Sequence, residues 1–256
     1  MIKEIRDTII SRITGIKKEL QVNYKTWFLF ILCSTILNDY HIGSGFICFF
    51  YSYLTSYLSH KLLHNEFCYM NIYNITHYYH HNNTDWLALV TNGFVEFLIA
   101  TNNIAAKHIY DSFSFCNLFY INHWTILFMY LWYTTIHNIN YGYLRANQYH
   151  YLHHEMQQTN ICPDFFDMIF NTKHELSPEV EDIDHYIPNI IFCFFIVYGI
   201  KCIYDSLDSE GKALSKLGLA LLWFSSTLLL TGFCCYILYY QIKDTIDNDL
   251  IKFLSQ

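Results

Sequence analysis

Nine of the fourteen histidines in this chain fall at spacings that suit metal ligation. They form His60-x3-His64, His77-x2-His80-His81, a lone His137 and His150-x2-His153-His154. Residues three and four apart on a helix lie one above the other on one face, so His60 and His64 point the same way. In each H-x2-H-H word the first histidine stands three and four positions before an adjacent pair. The expectation is that all three imidazoles of a box converge on one side of a helix. Neutral ring nitrogens suit iron, zinc, copper and nickel. Nine of them exceed the roughly four to six ligands of one ion and suit two.

A plainer reading is that an aromatic-rich membrane chain collects histidines at its interfaces. It holds for His41, His108, His123, His174 and His185, which lack such spacing. For the other nine, two copies of one word beside an H-x3-H word favour a metal role.

Each group follows an apolar stretch that must position it. The chain has 256 residues, 53% of them hydrophobic and 14% charged, where a soluble domain carries about 25% charged residues. The windows Ile42 to Ser59, Trp86 to Ala106, Phe113 to Ile136 and Leu217 to Tyr240 read as membrane spans. Trp27 to Leu37 and Ile190 to Ile203 fall below the roughly 17 residues that a span needs. If Trp27 to Leu37 crosses, the chain turns at Asn38 to His41, returns, and emerges just before His60. The pair ending at Ile136 then emerges just before His137, and all nine box histidines share the side on which the N-terminal segment lies. Eleven of the fifteen Lys and Arg residues fall on that side and four (Lys107, Lys201, Lys212, Lys216) opposite, which makes it cytoplasmic.

The first twenty residues are charged and lack a continuous apolar core, so they are not read as a cleaved signal. Ile2, Ile5, Ile9, Ile13, Ile16 and Leu20 recur at helical spacing. Residues 1–25 therefore read as a basic amphipathic helix that lies either on an anionic membrane surface or on the protein's own cytoplasmic part. The nine cysteines form no C-x2-C pair, and several sit in apolar windows as small hydrophobes. A net charge of -7 without a basic stripe beyond the N-terminus excludes nucleic acid as the expected partner.

The boxes carry a family resemblance. Their order, followed by Asn160-Ile-Cys-Pro-Asp164-Phe-Phe-Asp167-Met-Ile-Phe-Asn-Thr172, resembles the fatty acid hydroxylase / sterol desaturase superfamily of membrane histidine-box di-iron oxygenases. The resemblance covers about Ser59 to Thr172. Tyr141 stands where some members carry a further histidine, and Asn171 stands where glycine is usual. The resemblance implies O2-dependent attack on an unactivated C-H bond of a sterol, fatty acyl or sphingolipid substrate, giving a hydroxyl group or a double bond. It implies two iron ions, with His60, His64, His77, His80, His81, His137, His150, His153 and His154 as ligands and no catalytic residue beyond them. No cytochrome b5-like domain precedes the boxes, so electrons are expected from a separate donor such as cytochrome b5 or a reductase.

Metal-bound histidines donate their second N–H to a carboxylate or carbonyl. Asp85, Glu155, Asp164 and Asp167 are near in sequence, although a cap for Asp164 and a solvated face for Glu155 are the plainer readings. Tyr78, Tyr79, Tyr149 and Tyr151 are candidates to wall the site.

The expected fold is an all-α integral membrane helical bundle of four core spans, or six, under a cytoplasmic histidine-rich cap. Residues 26–175 form the membrane catalytic domain, and 176–256 supply C-terminal hydrophobic segments of unassigned role. The expected location is the endoplasmic reticulum or another intracellular membrane, in lipid metabolism. A histidine-rich metal-binding or transport protein is the rival. Transport calls for ionisable groups buried at mid-membrane depth, and only Glu96 and His123 are candidates. The H-E-x-x-H word of a metalloprotease is absent: Met156, Gln157 and Gln158 follow His154-Glu155.

Overall fold

Long apolar and aromatic runs with few charges favour helices, which satisfy their own backbone polar groups wherever they are buried. The computed structural model describes residues 2–64, 72–83, 85–112, 122–144, 146, 148–156, 158–161, 164–174, 180–218, 221 and 225. Among the described residues every regular element is helical.

Two antiparallel hairpins form the frame. In the first, α2 (Tyr24–Leu37) packs along α3 (Ile42–Leu63). The connecting turn puts Asp39 and Tyr40 in the left-handed region, at φ 55° and 66°. Asn38 holds it there by donating Nδ2 to the Ser34 carbonyl and to Thr125 Oγ1, both at 2.7 Å. Gly45 lets the helices close, because a Cβ there would lie 2.6 Å from the Thr35 Cα. In the second hairpin α5 (Trp86–Ser112) packs against α6 (His123–Thr135), whose first turn is capped by Asn122 accepting from the Trp124 amide at 2.8 Å.

At the end where α3 and α6 finish, α4 (Ile72–Asn82), α7 (Gln148–Glu155) and α8 (Asp164–Phe170) assemble as a cap. There α6 passes into a π-helical stretch, Ile136–Tyr143. The N-terminal helix α1 (Ile2–Val22) lies on α8, with Gly15 against the Met168 side chain.

The last described long helix, α9 (Ile187–Ser206), packs on α6 and α2. Lys25 meets Asp184 just before its start at 3.3 Å, and Lys201 meets Asp39 near its finish at 2.9 Å. It therefore runs from the histidine end of the bundle to the opposite end. The shared core is aromatic. Phe30 meets Trp132 edge to face at 4.6 Å, and Trp27, Phe49, Tyr53, Phe128 and Tyr186 surround them.

Among the described residues one helix, Asp184–Ser206, is long and apolar enough to cross a membrane. It extends the short window Ile190 to Ile203, because Pro188 sits in the first turn, where a missing amide donor costs nothing. The expected four core spans are ranked differently. α3 has 22 residues but is diluted by serines, tyrosines and His60, α2 has 14, and the apolar part of α5 is Trp86–Ile99. Residues 113–121 and most of Leu217 to Tyr240 lie outside the described residues.

Candidate metal centre

Four separate pieces of chain bring the box histidines together. His60 lies in the last turn of α3 and His64 at its C-cap, α4 carries His77, His80 and His81, the π-helical stretch carries His137, and α7 carries His150, His153 and His154. All nine converge, and they sort into two clusters: His60, His64, His77, His81 and His153 in one, and His80, His137, His150 and His154 in the other. Within each, one ring nitrogen per residue lies within 4.8 Å of the rest.

The sorting corrects one expectation. The three imidazoles of an H-x2-H-H box do not share a target, because neighbours on a helix point about 100° apart. On α4 the i,i+4 pair His77 and His81 serves the first cluster and His80 the second. On α7 the i,i+4 pair His150 and His154 serves the second cluster and His153 the first. The clusters touch where the His81 and His154 rings stack at 4.2 Å.

The inward nitrogens stand close enough together to share an ion. His153 Nδ1 lies 2.8 Å from the Thr159 carbonyl, which only accepts, so the proton sits on Nδ1 and Nε2 is bare. That bare atom stands 3.1 Å from both His60 Nε2 and His64 Nε2. His77 Nε2 stands 3.0 Å from His64 Nε2 and 3.1 Å from His81 Nε2. In the second cluster His137 Nδ1 meets Glu96 Oε1 at 2.5 Å and Asn92 Nδ2 at 3.1 Å, and its Nε2 is buried with no hydrogen-bond partner, as are both ring nitrogens of His80. Nitrogens about 2.0–2.1 Å from one ion, with bonds at right angles, stand about 3 Å apart. The donor set therefore fits metal ions, with the inner nitrogens as their ligands.

Burial, and then the charge of neighbouring imidazoles, holds these rings in the neutral form. His60, His77, His81, His137, His150 and His153 fall well below the usual histidine range for those reasons. Burial, then His154, brings His64 down to about 4 and His80 down to about 3. A neutral imidazole is the form that binds a metal.

The groups behind the rings are mostly not those nearest in sequence. Glu96 of α5 backs His137 and is itself held by Asn92 Nδ2 at 2.9 Å and Asn138 Nδ2 at 3.0 Å. The Tyr133 hydroxyl meets His60 Nδ1 at 2.7 Å. Tyr141 stacks on His150 at 4.5 Å and donates its hydroxyl to Glu181 Oε1 at 3.2 Å; it also meets the Tyr186 hydroxyl. The four acids expected in this role bind elsewhere. Asp85 accepts from the Ala88 amide at the start of α5, Asp164 pairs with Lys173 at 2.7 Å, Asp167 accepts from the Ile161 amide and from Thr172, and Glu155 is exposed. The Asn160 to Thr172 segment contributes differently, because the bond from the Asn160 amide to the Thr172 carbonyl closes the loop that starts just after Thr159.

Comparison with family models, with curated proteins and with solved structures finds no match. Function is therefore read from the site itself.

Tyr78 is exposed and Tyr79 donates to Asp85, while the Tyr149 and Tyr151 side chains lie outside the described residues. Tyr133 and Tyr141 wall the centre instead. His41, His123, His174 and His185 join neither cluster, and the His108 side chain lies outside the described residues.

Two cavities reach the centre on either side of Tyr133 and His137. One lies among α3, α5 and α6 and touches His60, His77 and His137 beside Leu63, Glu96, Ile99 and Tyr130. The other touches His137 and His150 beside Tyr141, Asp164 and Glu181. Glu96 was legible as the one acid inside an otherwise apolar stretch, a feature that is functional by default. Nothing local in sequence marks Thr159, Tyr133 or Glu181.

Proposed function

We propose that this chain is a membrane-bound non-haem di-iron oxygenase that hydroxylates or desaturates a lipid, using O2 and electrons from a separate donor protein. The carrying observation is that nine histidines from four stretches sort into two touching clusters of five and four with bare nitrogens turned inward. A lone structural metal needs about four ligands, and a binuclear imidazole set is what the resemblance to the fatty acid hydroxylase / sterol desaturase superfamily implies. When bound, two irons would supply the oxygen activation and electron acceptance that no side chain provides.

The chain's own residues bind, orient and exclude water. Thr159 and Glu96 fix the tautomers of His153 and His137, so that each turns a lone pair inward. The cavity among α3, α5 and α6 opens on three histidines drawn from both clusters beside Leu63, Ile99 and Tyr130, which suits an apolar group held against the centre. Tyr133, between the two cavities, separates that apolar space from the polar one lined by Asp164 and Glu181. The proposed setting is an intracellular membrane with the cap in the cytoplasm. Its support is the lysine and arginine count, the spanning length of Asp184–Ser206 and the placement of every box at one end of both hairpins.

The rival reading, a histidine-rich metal carrier, needs ligands spread along a path. Here they gather at one end. The test is untargeted lipid profiling of cells expressing the wild type or the His80→Ala variant, with metal analysis of the purified protein. A gain of one oxygen in a lipid marks hydroxylation and a loss of two hydrogens marks desaturation. Metal flux with no lipid change would establish the carrier instead.

A further inference from the structure

The metal centre leaves α1 unused, and its two faces differ. The inner face is locked. Glu19 is fully buried, and its Oε1 accepts from Trp27 Nε1 at 2.8 Å and from Asn23 Nδ2 at 3.3 Å. Asn23 in turn donates to the Glu181 carbonyl at 2.8 Å and accepts from the Ile183 amide at 3.0 Å. With Gly15 seated on Met168, these bonds fix the roll of the helix. The outer face therefore has a set direction, and it is apolar. Ile9, Ile13 and Leu20 are exposed there, Ile13 by 60%.

That stripe continues into the next helix. Leu20, Tyr24, Phe28 and Leu32 follow one another at four-residue spacing, and all four are exposed, Phe28 by 66%. The exposed strip thus runs from α1 across Asn23 along α2, one of the apolar helices of the frame. Lys17 and Lys18 are exposed on the same helix, and Glu19, the one acid over residues 8–22, is buried. A soluble protein seldom leaves such a strip open. Apolar residues flanked by basic ones are the signature of a helix lying at a lipid interface.

We propose that α1 docks on an anionic lipid surface, with Ile9, Ile13 and Leu20 among the acyl chains and Lys17 and Lys18 at the headgroups. The occupant is lipid, because the strip is continuous with α2 and the charge is complementary to anionic headgroups. This inference rests on the membrane association argued above and not on the metal centre.

The test places a photoreactive residue at the strip, Ile13→benzoylphenylalanine, in the full chain reconstituted in vesicles of phosphatidylcholine with or without phosphatidylserine. The expected product is a lipid adduct that is enriched in the anionic vesicles and suppressed by salt. Charge reversal, Lys17→Glu with Lys18→Glu, should lower docking about fivefold for each basic residue lost. A chain-to-chain adduct, or a lipid adduct indifferent to phosphatidylserine and to both lysines, overturns the proposal. Trypsin cleavage after Lys17 in the unmodified wild type is the parallel measurement. It should slow in anionic vesicles, and equal rates in both lipids overturn the proposal even if the photoreactive chain misfolds. Vesicle flotation separates the two claims. A chain that fails to float refutes membrane association, and one that floats without these effects refutes only the docking of α1.

Discussion

His137 and Glu96, from neighbouring helices, meet at 2.5 Å, with the imidazole Nδ1 against a carboxyl oxygen of a side chain that two asparagines hold in place. A carboxylate behind a ligand imidazole fixes its tautomer and raises the basicity of the inward nitrogen. Glu96→Gln keeps the shape and replaces the carboxyl group by an amide that cannot take this role equally well. Metal affinity should fall about 10- to 100-fold, read by competition with a chelator. Helical content by circular dichroism should not change, and unchanged affinity would refute the role.

The split boxes make a stoichiometric prediction. His80→Ala leaves the second cluster with three histidines, and His153→Ala leaves the first with four. His80→Ala should hold about half the wild-type metal, since three histidines fall short of the roughly four that close a site, whereas His153→Ala keeps four and should retain most of its metal at lower affinity. The double variant should resemble His80→Ala in content. Elemental analysis of purified protein gives the counts. Chelation of the wild type should lower its thermal midpoint, because bound metal stabilises the folded state by mass action. His80→Ala protein that still holds the full wild-type content would show that the clusters are not separate sites.

How much of this was legible in the sequence depends on how local each feature is. Which histidines come together was legible because i,i+3 and i,i+4 spacing is a property of one helix. The division of each box between two clusters departs from the expected convergence, and the angle between adjacent residues is the reason: His80 and His81 cannot face one point. The hairpin ending at His60 was legible from its apolar windows and the Asn38 to His41 turn. The length of α9 was hidden by the polar residues before Ile190. Partners behind the rings depend on helix register across the bundle, and so proximity in chain favoured Asp85 over Glu96. The Thr159 carbonyl carries no sequence signal at all, since every residue has one.

Close approach of α2 and α3 gives a prediction about the frame. A Cβ at Gly45 meets the Thr35 Cα at 2.6 Å and the Thr35 nitrogen at 2.7 Å, both backbone atoms that cannot swing aside. Gly45→Ala should therefore push the hairpin apart and destabilise the fold by about 1–3 kcal/mol. Gly43, where a Cβ meets nothing within 4 Å, is the control, and Gly43→Ala should be near neutral. Thermal unfolding in detergent compares the two, and equal midpoints would refute the packing argument.

Glu181 makes stability depend on pH in a direction that can be worked out. Burial, and then the nearby Asp164, push its carboxyl up to about 8; Asp167 adds to this, while the Tyr141 hydroxyl and Lys173 oppose it. The unfolded chain releases this proton near the ordinary value of 4.5, whereas the folded chain keeps it until about 8. Between those two values the folded state binds more protons than the unfolded one, so stability falls as pH rises, by about 1.4 kcal/mol per unit. At pH 7 the accumulated cost reaches about 3 kcal/mol. Glu181→Gln removes the titration and retains an oxygen for Tyr141. It should stabilise the protein by up to about 3 kcal/mol at pH 7, with a gain that shrinks towards zero near pH 4.5. Denaturation midpoints of both proteins across that range would show the difference. A gain independent of pH would mean that packing, and not the buried carboxyl, is responsible.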